Sequence, residues 1–589
     1  MRGVFGAAAR RFRSERWPLV VSVVAFVLVS PTIAAGYFLD DWVHLFVLEG
    51  NAYPGGPRGA WDLYHFADAG PGLRGAIEQG LYPWWSSPDL KLAFFRPLTS
   101  LWRAADIALF GRVAWPVHLE TCLLYAALAY GAARFYRRTL GGAVAGLAAL
   151  LFAVDDAHAL SVVWIANRHA LLAGALGIFA VAVHTKRIES ARSSWPAALA
   201  FAVALLAGET ALGAFGYVLA FELVGRRAPL GAKLASLAPH VVVLAAWAAV
   251  YKLGGYGGGG NAFYLDPAKS PGEFLAAFPG RAAKLALGQL FVPPSELWAM
   301  VAPDAHGPVL LAPLALAALV FLVLARVTRG HPAVPWLAAG AALSLVPLTG
   351  TIPDDRLLVM PGLGAMGVVA VALERAARAW SAGRLGVPMR VAAAGFGVVH
   401  LVLAPLLLPL RAENVALSFG GWTKRTTQTL PPPEAVAGRD VIAVVSVDAF
   451  LTSIAFLDRY YVEAPRGAAP QKTRILAIAQ SGEATITRDG PNALVVRATR
   501  GMYGDLFSTV YSKGTFTKGE LRDAGDMRVQ ILEVDDAGHV LAVRFELTEP
   551  LEEKRWVVYE GKRFVEIDPP KEGAPRVVAG TSFMEAIQP

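Results

Sequence analysis

Residues 17–44 read WPLVVSVVAFVLVSPTIAAGYFLDDWVH, an apolar span from Trp17 to Gly36 that runs into the acidic pair Asp40-Asp41. A run of about 20 apolar residues is long enough to cross a bilayer. Ionised groups in or beside hydrocarbon are costly, so two adjacent carboxylates at a helix exit mark a candidate ion, proton or substrate site. The alternative is an interfacial cap that only stops the helix, and the pair alone does not separate the two. The basic stretch Arg10 to Arg16 precedes a span of crossing length with no evident small-residue cleavage site. The start therefore reads as an uncleaved signal anchor.

Working outward, composition sets the class. Hydrophobic residues make up 55% of the chain and charged residues 17%, against roughly 25% charged in soluble domains, and the mean hydropathy is +0.45. A polytopic, mainly α membrane protein is expected. A formal charge of +8 and a pI near 9.4 would also suit a nucleic-acid binder. The basic residues, however, fall in short segments between apolar spans, which is a topology signal, so no nucleic-acid partner is expected. The single cysteine, Cys122, lies inside an apolar span, which excludes an intrachain disulfide and a cysteine-based metal site.

Runs of roughly membrane-spanning length give about eleven spans: 17–36, 117–136, 142–157, 168–184, 196–209, 211–225, 234–252, 308–326, 333–349, 357–375 and 390–410. With a cytoplasmic N-terminus, the clusters Arg137-Arg138, Lys186-Arg187-Arg192, Arg226-Arg227, Arg326-Arg329 and Arg375-Arg378-Arg384 share one side. That agreement fits a multi-pass protein of a bacterial inner membrane. The opposite, periplasmic side receives the turns Asp155-Asp156 and Asp354-Asp355-Arg356, the long segments 37–116 and 253–306, and the C-terminal tail.

Segment 37–116 is dense in aromatic residues, among them Trp61, Tyr64, Trp84, Trp85 and Trp102, as expected of interfacial helices roofing a cavity. Residues 253–261, LGGYGGGGN, are backbone-permissive and read as a flexible linker or a hinge for a substrate gate. From about residue 411 the pattern changes to alternation with turn signals. The chain thus divides into a transmembrane domain, 1–410, with external loops 37–116 and 253–306; a linker, 411–435, marked by Pro431-Pro432-Pro433; and a small β-rich domain, 436–589. Met527–Val534 and His539–Leu547 read as one hairpin, and Ala484–Arg488 and Leu494–Arg497 as another. The tail contains no nucleophile elbow, phosphate loop or metal-ligand spacing. Asp458, Asp535 and Asp536 read as solvated turn residues, and the domain's expected role is structural or partner-binding.

The membrane half carries the chemistry. Its external face holds Asp40-Asp41, Phe95-Arg96-Pro97-Leu98, Asp155-Asp156-Ala157-His158, Trp164-Ile165-Ala166-Asn167-Arg168, Gly208-Glu209-Thr210 and Asp354-Asp355-Arg356. Singly, Arg96 reads as a snorkelling side chain, Arg168 as a helix cap and Glu209 as part of a tight turn. Ionisable groups in every one of these turns imply a polar cavity that they share.

The order of these motifs, continuing to Arg356-Leu357-Leu358-Val359-Met360-Pro361-Gly362-Leu363-Gly364, resembles the C-type (GT-C) integral-membrane glycosyltransferases. The likeness is to the membrane half of the tetratricopeptide-bearing O-mannosyltransferases and their bacterial relatives, and it covers residues 17–410. The chain departs from that pattern at His118-Leu119-Glu120-Thr121, at Asp155-Asp156 where His-Pro is usual, at Leu160 and at Gly208. The tail also lacks a helical repeat of about 34 residues.

The resemblance implies a GT-C-like helix bundle and transfer of a sugar from a polyprenyl-phosphate donor to a periplasmic acceptor, be it protein, lipid or glycan. Such transfer needs a base for the acceptor hydroxyl, for which Asp40 is the first candidate and Asp41 the second. It also needs fixed cations for the departing lipid phosphate: Arg168 and Arg356, with Arg96 third. His158 and Glu209 complete the expected substrate-binding set. Metal use stays open. An oxygen-rich site for Mg²⁺ or Mn²⁺ would draw first on Asp40, Asp41 and His44. Two other readings stand: a lipid or sugar flippase-type transporter, which usually shows internal symmetry that this sequence lacks, and a non-catalytic member of an envelope assembly.

Overall fold

The computed structural model describes residues 10–291, 293–297, 308–464 and 468–588. Fourteen principal helices follow one another: α1 (Trp17–Val29), α2 (Asp40–Leu48), α3 (Pro97–Phe110), α4 (Ala114–Thr139), α5 (Gly142–Ala153), α6 (His169–Glu189), α7 (Trp195–Ala207), α8 (Leu212–Ala220), α9 (Leu230–Leu253), α10 (Pro271–Leu290), α11 (Pro308–Thr328), α12 (Val334–Leu348), α13 (Val359–Ser381) and α14 (Val387–Thr429). Among the described residues, six helical segments are long and apolar enough to cross a membrane: Trp17–Ala34, Gly142–Val163, Ile165–Glu189, Leu230–Leu253, Val359–Ser381 and Val387–Thr429. Three shorter apolar helices, Trp195–Ala207, Leu314–Thr328 and Val334–Leu348, accompany them. The expected span 117–136 lies on α4, which is 26 residues long but carries His118, Glu120 and Arg134 and is less apolar than these.

Small residues let the helices approach closely, the packing mode available when lipid is as apolar as the side chains. A Cβ on Gly174 would stand 2.6 Å from Val359, one on Gly213 2.8 Å from Met360, and one on Gly364 2.3 Å from the carbonyl of Leu337. At the same junction the Tyr217 hydroxyl donates to the Met360 carbonyl at 2.8 Å and accepts from the Gly364 amide at 2.7 Å. It thereby satisfies backbone groups beside Pro361, which has no N–H to give.

The external segments are built, not loose. β1 (His65–Ala67), β2 (Lys91–Ala93) and β3 (Gly257–Gly259) form a three-stranded antiparallel sheet. The glycine-rich stretch expected as a linker or hinge is therefore a strand pinned to loop 37–116. A Cβ on Gly260, where φ is +74°, would meet the Asp89 carbonyl at 2.3 Å, so close approach as well as φ requires glycine there. Residues 298–306 of the second external loop lie outside the described residues.

The expected linker, 411–435, is helical as far as Thr429, where α14 ends. Its Trp422 is fully buried, with Nε1 donating to the Tyr559 hydroxyl at 3.1 Å, so this stretch is part of the C-terminal fold. Beyond it come β4 (Val441–Ser446), β5 (Thr473–Ile478), β6 (Glu483–Arg488), β7 (Ala493–Met502), β8 (Leu521–Asp523), β9 (Met527–Val534), β10 (Val540–Leu547), β11 (Arg555–Glu560), β12 (Arg563–Ile567) and β13 (Arg576–Ala579). Both expected hairpins are present, as β6–β7 and β9–β10, inside a sheet ordered β13-β6-β7-β10-β9-β8. A second sheet, β12-β11-β4-β5, has β4 parallel to both neighbours. The helix Ala449–Leu457 lies between β4 and β5 in the chain. The domain is thus partly α/β. Strand β4, VIAVVS, is buried at every position, and such a run gives no alternation for a sequence to display.

Candidate functional site

The chain leaves its first span at Ala34, runs extended at Ala35, and turns at Leu39, whose φ of +53° is rare for a branched residue. That turn starts α2, so Asp40 and Asp41 open a second helix; they do not close the first. Two carboxylates in a first helical turn sit at the positive end of the helix dipole.

The two acids differ completely in engagement. Asp41 is fully buried, its Oδ1 accepting from the Ala166 amide at 2.7 Å and its Oδ2 from the Phe38 amide at 3.2 Å. Burial raises its pKa to about 7. Both oxygens are occupied in tying the turn before α6 to the start of α2. Asp40 is half-buried, and among the described residues its carboxylate accepts no hydrogen bond. Burial raises it to about 6, against the pull of Arg356 and Arg96.

Those two arginines are each held by one edge. The Arg96 Nε donates to Glu209 Oε2 at 2.7 Å, and its guanidinium lies 4.6 Å from the Phe94 ring and 4.9 Å from the Tyr64 ring. Glu209 is steadied in turn by the Tyr251 hydroxyl at 3.3 Å. The Arg356 Nε lies 3.1 Å from Asp354 Oδ2, with the guanidinium 5.0 Å from the Trp164 ring. Their terminal nitrogens make no protein hydrogen bond among the described residues. Tyr264, from the second external loop, feels the charges of Arg356, Arg96, Asp40 and Glu209, and burial raises its pKa. Glu209 pairs with Arg96, Asp40 feels the charges of Arg96 and Arg356, and Tyr64, Trp164, Tyr251 and Tyr264 are additions to the residues singled out in the sequence. Only the aromatic density of the loops hinted at these.

No family model matches the chain, and no curated protein matches it. Among solved structures it is similar to the crystal structure of ArnT from Cupriavidus metallidurans bound to undecaprenyl phosphate. The identity is 16% over 75% of this chain and 85% of that one, with a TM-score of 0.35.

Other expected residues lie elsewhere. Arg168 is fully buried, paired with Asp106, 3.7 Å from Glu120 and 4.4 Å from the Trp102 ring. It belongs to an internal network with Arg103, whose guanidinium lies over Tyr37 at 4.8 Å. The Arg168 Nη2 is taken by Asp106, while its Nε and Nη1 are buried without a hydrogen-bond partner among the described residues. His158 is buried with its Nδ1 3.1 Å from the Tyr125 hydroxyl, packed against Phe152. It has no charged partner.

One acid from each of the turns at 155–156 and 354–355, Asp156 and Asp355, converges on Arg411, which the sequence reading did not single out. Its guanidinium bonds Asp156 at 2.7 Å, Glu296 at 2.7 Å and Asp355 at 3.0 Å. Asp355 Oδ1 accepts from the Ser295 amide and hydroxyl at 2.8 and 2.6 Å, and the Gln289 amide holds Asp155 at 2.6 Å. The ionisable groups of these turns thus pair in three sets, and the Asp354-Asp355 turn joins the Arg356 set to the Arg411 set.

The metal candidates do not converge either. Asp41 has both oxygens occupied, and His44 is fully buried, stacked on Phe66 at 5.9 Å and edge-on to Tyr64 at 4.9 Å. Burial holds its pKa well below the usual imidazole range. Among the described residues no group of three or more His, Cys, Asp or Glu is arranged to hold a metal ion.

The C-terminal domain clamps the element that presents Asp40. Val43 and Phe46 of α2 pack against Ile454 and Leu457. Buried Arg474 donates to the Glu78 carbonyl at 2.6 Å, the Trp84 Nε1 to the Leu476 carbonyl at 2.8 Å, and the Ser87 amide to the Tyr511 carbonyl at 2.8 Å. Asp458, expected as a solvated turn residue, is buried and accepts from the Thr427 hydroxyl at 3.1 Å; burial raises it to about 7. Asp535 does sit in its turn, accepting from the Ala537 and His539 amides.

Proposed function

We propose that the chain is a polyprenyl-phosphate-sugar-dependent glycosyltransferase that moves a sugar to a periplasmic acceptor hydroxyl, with Asp40 as general base. The observation that supports this most is that the Asp40 carboxylate accepts no hydrogen bond among the described residues and feels the charges of Arg356 and Arg96, whose terminal nitrogens make no protein hydrogen bond among them. In the step, the acceptor O–H proton passes to Asp40 while the acceptor oxygen bonds to the anomeric carbon. The bond from that carbon to the lipid phosphate breaks, and the phosphate leaves with the electron pair. Arg356 and Arg96 offset the charge that develops on it, which fixed donors do best because they need not reorganise. Asp41 acts by positioning, since its backbone bonds fix the angle at which Asp40 emerges. Tyr64 and Trp164 keep the arginines flat by stacking. No step requires a metal.

In this reading the N-terminus is cytoplasmic, and the Asp40 site and the C-terminal domain face the periplasm, as the basic loops favour. A cysteine placed at position 537, in the exposed turn between β9 and β10, should then be labelled only from outside the cytoplasm; labelling only from within overturns the orientation. The activity test uses purified full-length protein in proteoliposomes with a polyprenyl-phosphate-linked hexose. Loss of lipid-linked sugar with gain of glycosylated acceptor supports transfer. Movement of intact donor across the membrane without transfer would make the chain a transporter.

A further inference from the structure

A cavity of about 360 Å³ opens at the other end of the bundle from Asp40, lined by Arg13, Arg375, Arg378, His331, Glu374 and the start of α5. Arg356 and Arg378 flank α13, 22 residues apart, so the two sites are separated by about 33 Å at 1.5 Å per residue. Nothing in the proposed reaction uses this end of the molecule.

Three guanidinium groups from two distant chain segments meet here against one carboxylate. Arg375 is fixed in place because its Nη1 donates to the carbonyls of Val327 and Arg329 at 3.0 and 2.8 Å, at the end of α11. Arg378 pairs with Glu374 yet stays 72% exposed. Arg13 forms no ion pair or hydrogen bond among the described residues. The first turn of α5 also lines the cavity, and among the described residues no side chain caps it. Its leading amides have no intrahelical partner. Gly141 and Gly142 there have φ of +66° and +58°, and a Cβ on either would meet nothing within 4 Å. Glycine is thus required by the backbone turn, while among the described residues the space in front of it stays open.

Guanidinium groups gathered around a cavity that is also lined by a helix first turn whose leading amides have no partner among the described residues match the donor set that phosphate oxygens need. We propose that this cavity is a binding site for a phosphate group, carried by an anionic phospholipid headgroup at the membrane face opposite Asp40 or present as free phosphate. The site is independent of the glycosyltransferase reading.

The test measures binding by the full-length protein in detergent, by native mass spectrometry with dioleoylphosphatidylglycerol against dioleoylphosphatidylcholine, and by thermal shift with inorganic phosphate. The variant is R13Q/R378Q, two exposed side chains whose loss leaves the bundle packed. The control is R192Q, an exposed arginine away from the cavity. The expected result is preferential binding of phosphatidylglycerol that falls about tenfold or more in the double variant and is unchanged in R192Q. A thermal shift with inorganic phosphate, lost in the double variant, in the absence of lipid preference identifies free phosphate as the occupant. Binding of both probes unchanged in the double variant, or weakened as much by R192Q, overturns the site and leaves only a basic membrane face. Absence of binding by the wild-type chain to either probe also overturns it.

Discussion

Asp40 and Asp355 lie on the same side of the bundle, each beside an arginine, and they have opposite characters. Asp355 is saturated: Ser295 fills one oxygen and Arg411 the other, and that arginine also takes Asp156 and Glu296. Among the described residues Asp40 has no partner on its carboxylate, and Arg96 and Arg356 engage only Glu209 and Asp354, through their Nε edges. The same residue types therefore make a lock in one place and an unsaturated surface in the other. Between these two carboxylates the difference is unused hydrogen-bonding capacity, because a paired buried charge has already met its desolvation cost while the Asp40 carboxylate remains open to a ligand.

The comparison breaks most sharply at Asp40. Asp40→Asn should lower sugar transfer by about a hundredfold to ten-thousandfold, the usual contribution of a general base, with folding and insertion intact. Retention of more than about a tenth of the activity in the reconstituted assay would return the residue to a cap. The pH profile sharpens the point. A base raised to about 6 must be ionised to act, so the rate should climb with pH through about 6 and level off above. Stability has the opposite sign. The folded pKa lies above the unfolded value of about 3.9, so the folded protein loses stability as pH rises from about 4 to 6. Above that window, Asp40→Asn should melt slightly higher than wild type.

Arg411→Met should act in the reverse sense, removing the partner of three carboxylates. A cost of about 3–5 kcal/mol is expected, as for breaking a buried ion pair, read as a lowered thermal midpoint in detergent. If the protein melts normally but fails to transfer sugar, Arg411 belongs to the reaction and the contrast fails.

Arg356→Lys keeps the charge but loses the free outer fork, and should slow turnover about tenfold or more with little change in melting. Arg168→Lys should show the reverse pattern if its buried pair with Asp106 is structural: a lowered midpoint, with activity reduced only in proportion to folded protein. The smallest effect belongs to Lys513→Ala at the outer rim of the C-terminal domain. Its 3.7 Å pair with Glu273 is exposed on both sides and should be worth under about 1 kcal/mol, too little to change activity or docking.

Much of the fold was legible because membrane helices and hairpins announce themselves locally. The apolar spans follow from the length needed to cross hydrocarbon, and the β6–β7 and β9–β10 hairpins follow from alternation around Asp489-Gly490 and Asp535-Asp536-Ala537-Gly538. The parallel strand β4 was not legible, since complete burial erases alternation, and neither was the continuity of α14 through residues 411–429.

For the site, the sequence by itself determined which residues bear charge, that the first span runs into an acidic pair, and that arginines recur in the external turns. Those are properties of composition and of distance along the chain. Only the tertiary structure decided which charges are free. Asp106 reaches Arg168 from 62 residues away, Arg411 reaches Asp156 from 255 and Asp355 from 56, and the Ala166 amide reaches Asp41 from 125. A side chain's availability depends on which partner packing brings within about 3 Å, and contacts made across such separations leave no local pattern in the sequence.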